Sequence, residues 1–164
     1  MSVLANDRKP SKFEAIVYSE ELHTKLRDLM QRNFGVKNLR RYAELQCLYG
    51  IDNVEDYEKY YWRLITHKKN IDKMATLMTS NVRAAYSTFP SSLHECEIRR
   101  DYQNAAIVNC EQIIKELQRV VTDFDLDINK LKPLIIAIDR EIDLIKSWRQ
   151  RDNKIRKRLQ EGNI

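Results

Sequence analysis

The sequence predicts an all-α protein: a four-helix bundle with one additional short helix and an elongated last helix that ends in a basic C-terminal extension. Three observations carry this expectation. Only three Gly and three Pro occur in 164 residues, too few for a fold rich in strands and turns. Apolar residues recur at three- and four-residue steps, the spacing that stacks side chains on one helical face. No alternating apolar and polar run and no Asn-Gly hairpin dipeptide is present, so nothing reads as a strand.

Residues 1–10 are charged and read as a disordered arm, residues 11–148 as the bundle, and residues 149–164 as the basic extension. Ser11-Lys12-Phe13-Glu14 has the form of a capping box, in which the hydroxyl caps the first turn and the carboxylate reaches back. The helix after it carries Ala15, Tyr18, Leu22, Leu26, Leu29 and Met30 on one face, with Gly35 as its terminator. A short helix over 38–49 follows, built on Leu39, Tyr42, Leu45 and Leu48 and closed by Gly50.

Asp52-Asn53-Val54-Glu55 resembles a second capping box. It opens a long helix carrying Tyr57, Tyr61, Leu64, Ile71, Met74, Ala75, Met78 and Val82. That helix ends near Tyr86, because Pro90 inside a helix would cost about 3 kcal/mol. Ser92-Leu93-His94-Glu95 is a third capping box. Its helix presents Tyr102, Ala105, Ala106, Asn109, Ile113, Leu117 and Val120. Residues 123–127 form the next turn, and Pro133 belongs in a first turn, so the last helix begins between Asp127 and Lys132. Its face is Leu131, Leu134, Ile135, Ile138, Ile142, Ile145 and Trp148. With Leu144 beside it this stripe is broad, which predicts a subunit interface; Ile138, Ile142, Ile145 and Trp148 are the candidate oligomer or packing contacts.

After Trp148 the apolar face thins. Arg149, Arg151, Lys154, Arg156, Lys157 and Arg158 follow, opposed only by Asp152 and Glu161. A continuing helix would leave the bundle here as a cationic rod, suited to a polyanion or an acidic protein surface. The formal net charge of +5 and pI near 9.1 have the sign of a nucleic-acid partner. The doublet Arg99 and Arg100 joins the tail as a candidate nucleic-acid contact; Arg40-Arg41 and Lys68-Lys69 are further basic doublets. Nothing resembles a base-reading module, so contacts should fall on phosphates and favour structured RNA or an RNA–DNA hybrid by shape. The aromatic cluster Tyr57, Tyr60, Tyr61 and Trp62, flanked by Lys59 and Arg63, reads first as packing, with Tyr57 and Tyr61 in the core and the rest a solvated face; the alternative is nucleic-acid contact through phosphate pairing and base stacking.

No catalytic signature emerges. Glu20 and His23 form a single Glu-x-x-His, whereas a di-iron bundle needs that motif twice. The spacing of His94, Cys96 and Cys110 fits no common metal site. Asp123, Asp125 and Asp127 lack the Gly and the distal Glu of a calcium loop and read as turn and cap residues. There is no phosphate-binding Gly-rich loop. The expectation is therefore a non-enzyme with no cofactor, no metal and no small-molecule substrate. Cys47, Cys96 and Cys110 are odd in number and lack a CxxC pair, which fits a reducing cytoplasm. The start carries charges where a signal peptide needs an apolar run, so none is expected, and no apolar stretch approaches a membrane span.

Three segments together resemble the accessory variability determinant proteins of diversity-generating retroelements. They are Ser11-Lys12-Phe13-Glu14-Ala15 with Ser19-Glu20-Glu21-Leu22, then Ile98 to Ala106 (IRRDYQNAA), then Glu141 to Gln150 (EIDLIKSWRQ) with Asp152-Asn153-Lys154. Ser147 stands where the family commonly has Gly, and residues 37–70 are longer than its usual first connection. The resemblance implies a non-catalytic four-helix bundle that assembles as a homopentamer. It also implies association with the element's reverse transcriptase and template RNA during mutagenic cDNA synthesis. The rival expectation is a helical protein–protein adaptor or phage structural module, whose charge serves only solubility.

Overall fold

Alternating steps of three and four residues set the buried face of every long helix. In the computed structural model, which describes residues 12–36 and 54–162, four helices carry such faces: α1 (Lys12–Gln31), α2 (Val54–Ser87), α3 (Leu93–Asp123) and α4 (Lys132–Gln160). On α1 the face is Ala15, Ser19, Leu22, Leu26 and Met30; on α2 it is Leu64, His67, Ile71, Ala75, Met78, Val82 and Ala85. On α3 it is Cys96, Arg99, Gln103, Ala106, Cys110, Ile113, Leu117 and Val120. On α4 it is Ile138, Glu141, Ile145 and Trp148, with Ile142 and Leu144 beside them. No strand occurs among the described residues. The fold is an all-α helical bundle.

Each helix packs on its neighbours in sequence, and α1 packs on α4 to close the ring. Cross-helix pairs fix the directions. Arg83 pairs with Glu20 while Lys68 donates to Asn33, so α2 runs antiparallel to α1. Asn81 with Asn109, and His67 with Glu116, set α3 against α2. Arg149 with Asn104, and Arg156 with Glu97, set α4 against α3. One end of the bundle therefore gathers the start of α1, the α2–α3 loop, the start of α3 and the last turns of α4. The 34 residues of α2 give the body a length of about 50 Å. Among the described residues no helix is long and apolar enough to cross a membrane.

Local chemistry explains the element ends. Ser92 caps α3 by accepting from the Glu95 N–H at 3.2 Å. Glu95 reaches back one residue further than a capping box requires, accepting from the Ser91 N–H at 3.1 Å. The α3–α4 turn contains a single 3-10 turn at Ile128–Lys130, where Asp127 accepts from the Asn129 N–H. Regular helix follows from Lys132 with Pro133 in its first turn.

Other expectations are corrected. Gly35 is not the first residue past α1: that helix ends at Gln31, and Asn33, Phe34 and Gly35 all take positive φ in a 3-10 turn. The Phe34 ring is buried, and its packing holds a backbone conformation that a bulky residue otherwise avoids. Tyr61, expected in the core, is 48% exposed, and Tyr102 also faces outward. The broad stripe of α4 serves two partners within the same chain, α1 and α3, so its width is no sign of a subunit interface. The short helix expected over 38–49 and the capping boxes at Ser11 and Asp52 lie outside the described residues.

Candidate nucleic-acid interface

The residues expected to meet nucleic acid divide into two groups that the sequence does not separate. Arg99 belongs to the interior. It is only 2% exposed, and its position on the α3 core stripe explains why. Its guanidinium lies 4.9 Å above the Trp148 ring, Nε is 2.8 Å from Asp152 Oδ2, and Nη1 donates to the Thr88 carbonyl at 3.1 Å. Gln103 donates to the same Asp152 oxygen at 2.7 Å. Arg99 thus ties the end of α2 and two levels of α4 to α3. As a nucleic-acid contact it is withdrawn, because its charge is already matched by a mostly buried carboxylate. Arg100, one residue on, is half-buried at the edge of the same turn.

This strut also corrects the course of the last helix. α4 is continuous to Gln160 and does not part from the bundle at Trp148. One turn beyond the indole, Asp152 is held by Arg99 and Gln103; one further turn on, Arg156 pairs with Glu97 at 3.6 Å. Arg149 donates to Asn104 at 2.6 Å and has no acidic partner among the described residues. Trp148 and Asp152 hold one side of the helix end, and the cations occupy the remaining circumference.

At 100° per residue, Arg151, Lys154 and Arg158 fall within one narrow sector of that circumference. None has an acidic partner among the described residues; Lys154 and Arg158 are exposed and Arg151 half-buried. Arg149, Arg156 and Lys157 lie on the other flank. There Arg156 is engaged by Glu97, and Lys157 approaches Glu161 at 3.9 Å. The sector holding Arg151, Lys154 and Arg158 therefore presents three cations with no ion-pair partner among the described residues. A rigid, helical display of three cations presents them at fixed spacing rather than as a loose tail.

The four candidate oligomer or packing residues, Ile138, Ile142, Ile145 and Trp148, are all buried within the chain and act in its own core. Cys96 and Cys110 are free and buried. Burial, with the charge of Glu141 second, pushes the Cys110 thiol up and keeps it protonated and inert. Glu20 of the Glu-x-x-His pair is taken by Arg83, at 2.8 Å.

Two features escaped the sequence reading. His67 sits between Glu116 and Asp123, its Nδ1 2.8 Å from Glu116 Oε1 and its Nε2 2.9 Å from Asp123 Oδ2. Burial works to raise the Glu116 carboxyl, but hydrogen bonds from Asn70 and His67, with the charge of Arg119, outweigh it and hold the group below its usual range. The second is Phe89 in the α2–α3 loop, which points outward at 72% exposure beside the cationic sector. Its signal was an aromatic next to Pro90 in the loop between two helices. Comparison with protein-family models, with curated protein sequences and with solved structures returns no match to this chain.

Proposed function

We propose that the cationic end of this bundle binds nucleic acid. In our reading the protein is a non-catalytic, cytoplasmic accessory factor of a diversity-generating retroelement, engaging the element's reverse transcriptase and template RNA for mutagenic cDNA synthesis. The observation that carries the nucleic-acid part is the display of Arg151, Lys154 and Arg158 in one sector of a helix pinned to α3, none of them in an ion pair among the described residues. A fixed row of cations outside a packed core is a phosphate-binding element, and it requires no base-reading module.

The reverse-transcriptase part, and assembly as a homopentamer, rest on the resemblance in three segments. Its second and third segments meet in the bundle, where Arg99 lies on Trp148 and both Arg99 and Gln103 reach Asp152. That contact supports reading the segments as one functional unit rather than as scattered likenesses. Co-expression tests the proposal: the protein should co-purify with a reverse transcriptase encoded beside it and with that element's RNA. Absence of such a gene, or of a pair of near-identical repeats, from its neighbourhood would remove the retroelement part and leave a helical adaptor as the alternative.

A further inference from the structure

Beneath the α2–α3 loop, on the side of the cationic sector, lies a cavity of about 370 Å³. Phe89, Pro90 and Ile155 form its apolar rim, Trp148 stands at its base, and Arg151 and the Arg99–Asp152 pair complete it. Phe89 is not used by the core: it is 72% exposed on a loop held by the Thr88 and Ser91 backbone bonds. Asp152 is neutralised by Arg99 and its oxygen accepts from Gln103. The uncompensated charge at this mouth is therefore positive, and it continues along α4 through Lys154 and Arg158.

We infer that this cavity takes an unstacked base of a single-stranded polynucleotide, with Phe89 as the stacking face and Arg151, Lys154 and Arg158 holding the adjoining phosphates. The inference rests on the nucleic-acid reading above and replaces the expected preference for structured RNA or an RNA–DNA hybrid with one for a single strand. Several features select this occupant. The volume lies at the lower end of small-ligand pockets, suited to a flat group. Its wall is aromatic and aliphatic, and its free charges are all cationic. An aromatic platform beside a basic track is the combination that grips single strands, and stacking on it tolerates any base. An apolar side chain of a protein partner would fill the hole but leave the three cations unmatched unless it came with acids.

The test uses the full chain and three probes: a single-stranded RNA of about ten nucleotides, an abasic ribose-phosphate strand of equal length, and a blunt RNA duplex. Stacking of one base contributes about 5- to 150-fold in affinity, so the RNA strand should bind that much tighter than the abasic strand. Phe89→Ala should erase the difference while leaving abasic-strand affinity and its salt dependence unchanged; as an exposed residue, its loss should not unfold the protein. A difference that survives Phe89→Ala, or none in the wild type, would overturn the inference. So would duplex binding as tight as single-strand binding in the wild type, although the nucleic-acid reading would stand in each case. Failure of all three probes to bind would instead remove the nucleic-acid reading itself, and this inference with it.

Discussion

Glu141 shows how far a single residue can oppose the fold that holds it. It is fully buried, neither carboxyl oxygen has a hydrogen-bond partner among the described residues, and burial pushes its pKa from 4.5 up to about 8. The folded protein holds this proton more tightly than the unfolded chain. Stability from this group is therefore intact at low pH and falls as pH rises from 4.5 to about 8. At pH 7 the loss amounts to about 3 kcal/mol. Glu141→Leu should raise stability by that order at pH 7, and its advantage should shrink toward pH 4.5. Denaturant melts of both proteins across that range check it; a difference independent of pH would contradict it. Asp152→Ala works in the other direction. It strands the Arg99 charge inside the bundle and should cost about 3 kcal/mol in the same melts. The burial of these polar residues was legible in spacing: Arg99 and Gln103 continue the α3 stripe, as Glu141 and Asp152 continue that of α4. Reading the stripes by hydropathy alone passed over them, because the period marks direction whatever the side chain.

At the scale of the element, α4 is one helix with two duties. Up to Trp148 it fills the core; beyond it, the same helix is moored by polar contacts and displays charge. Trp148→Ala should cost about 3 to 5 kcal/mol, since it removes the indole beneath Arg99 and leaves a cavity. Replacing Arg151, Lys154 and Arg158 together with Gln should leave the melting temperature within a degree or two, because none of them makes a hydrogen bond or ion pair among the described residues; a large drop would mean the sector is structural. Apart from Tyr61 and Tyr102, the apolar faces among the described residues were legible in the chain, as were the Ser92 cap and the place of Pro133. The mooring of α4 was not. It depends on α3 beginning at a height where Glu97 and Arg99 face Arg156 and Asp152, a register that arises only once four helices have packed.

For the whole molecule, the interior consumes the apolar stripes, and what remains outside decides assembly. Ile136 is 58% exposed on α4 and Val108 is also exposed on α3, while Ile138, Ile142 and Ile145 are enclosed. If the proposed homopentamer forms, Ile136→Lys should weaken it in light scattering without altering the melting curve, whereas Ile138→Ala should lower the melting temperature. A monomer at micromolar concentration would rule the oligomer out. Charge is the other external property: Arg149, Arg151, Lys154, Arg156, Lys157 and Arg158 stand together on the last turns of α4, and among the described residues Arg156 and Lys157 are the two of them in ion pairs. Each phosphate neutralised releases counterions and makes log K fall with log salt by about 0.7 to 0.9. The decisive measurement is RNA affinity titrated against salt for the wild type and for the protein carrying Arg151→Gln, Lys154→Gln and Arg158→Gln. The slope should fall by about two to three per engaged subunit in the variant; an unchanged affinity and slope would show that this end of α4 is a solvated helix terminus with no part in binding.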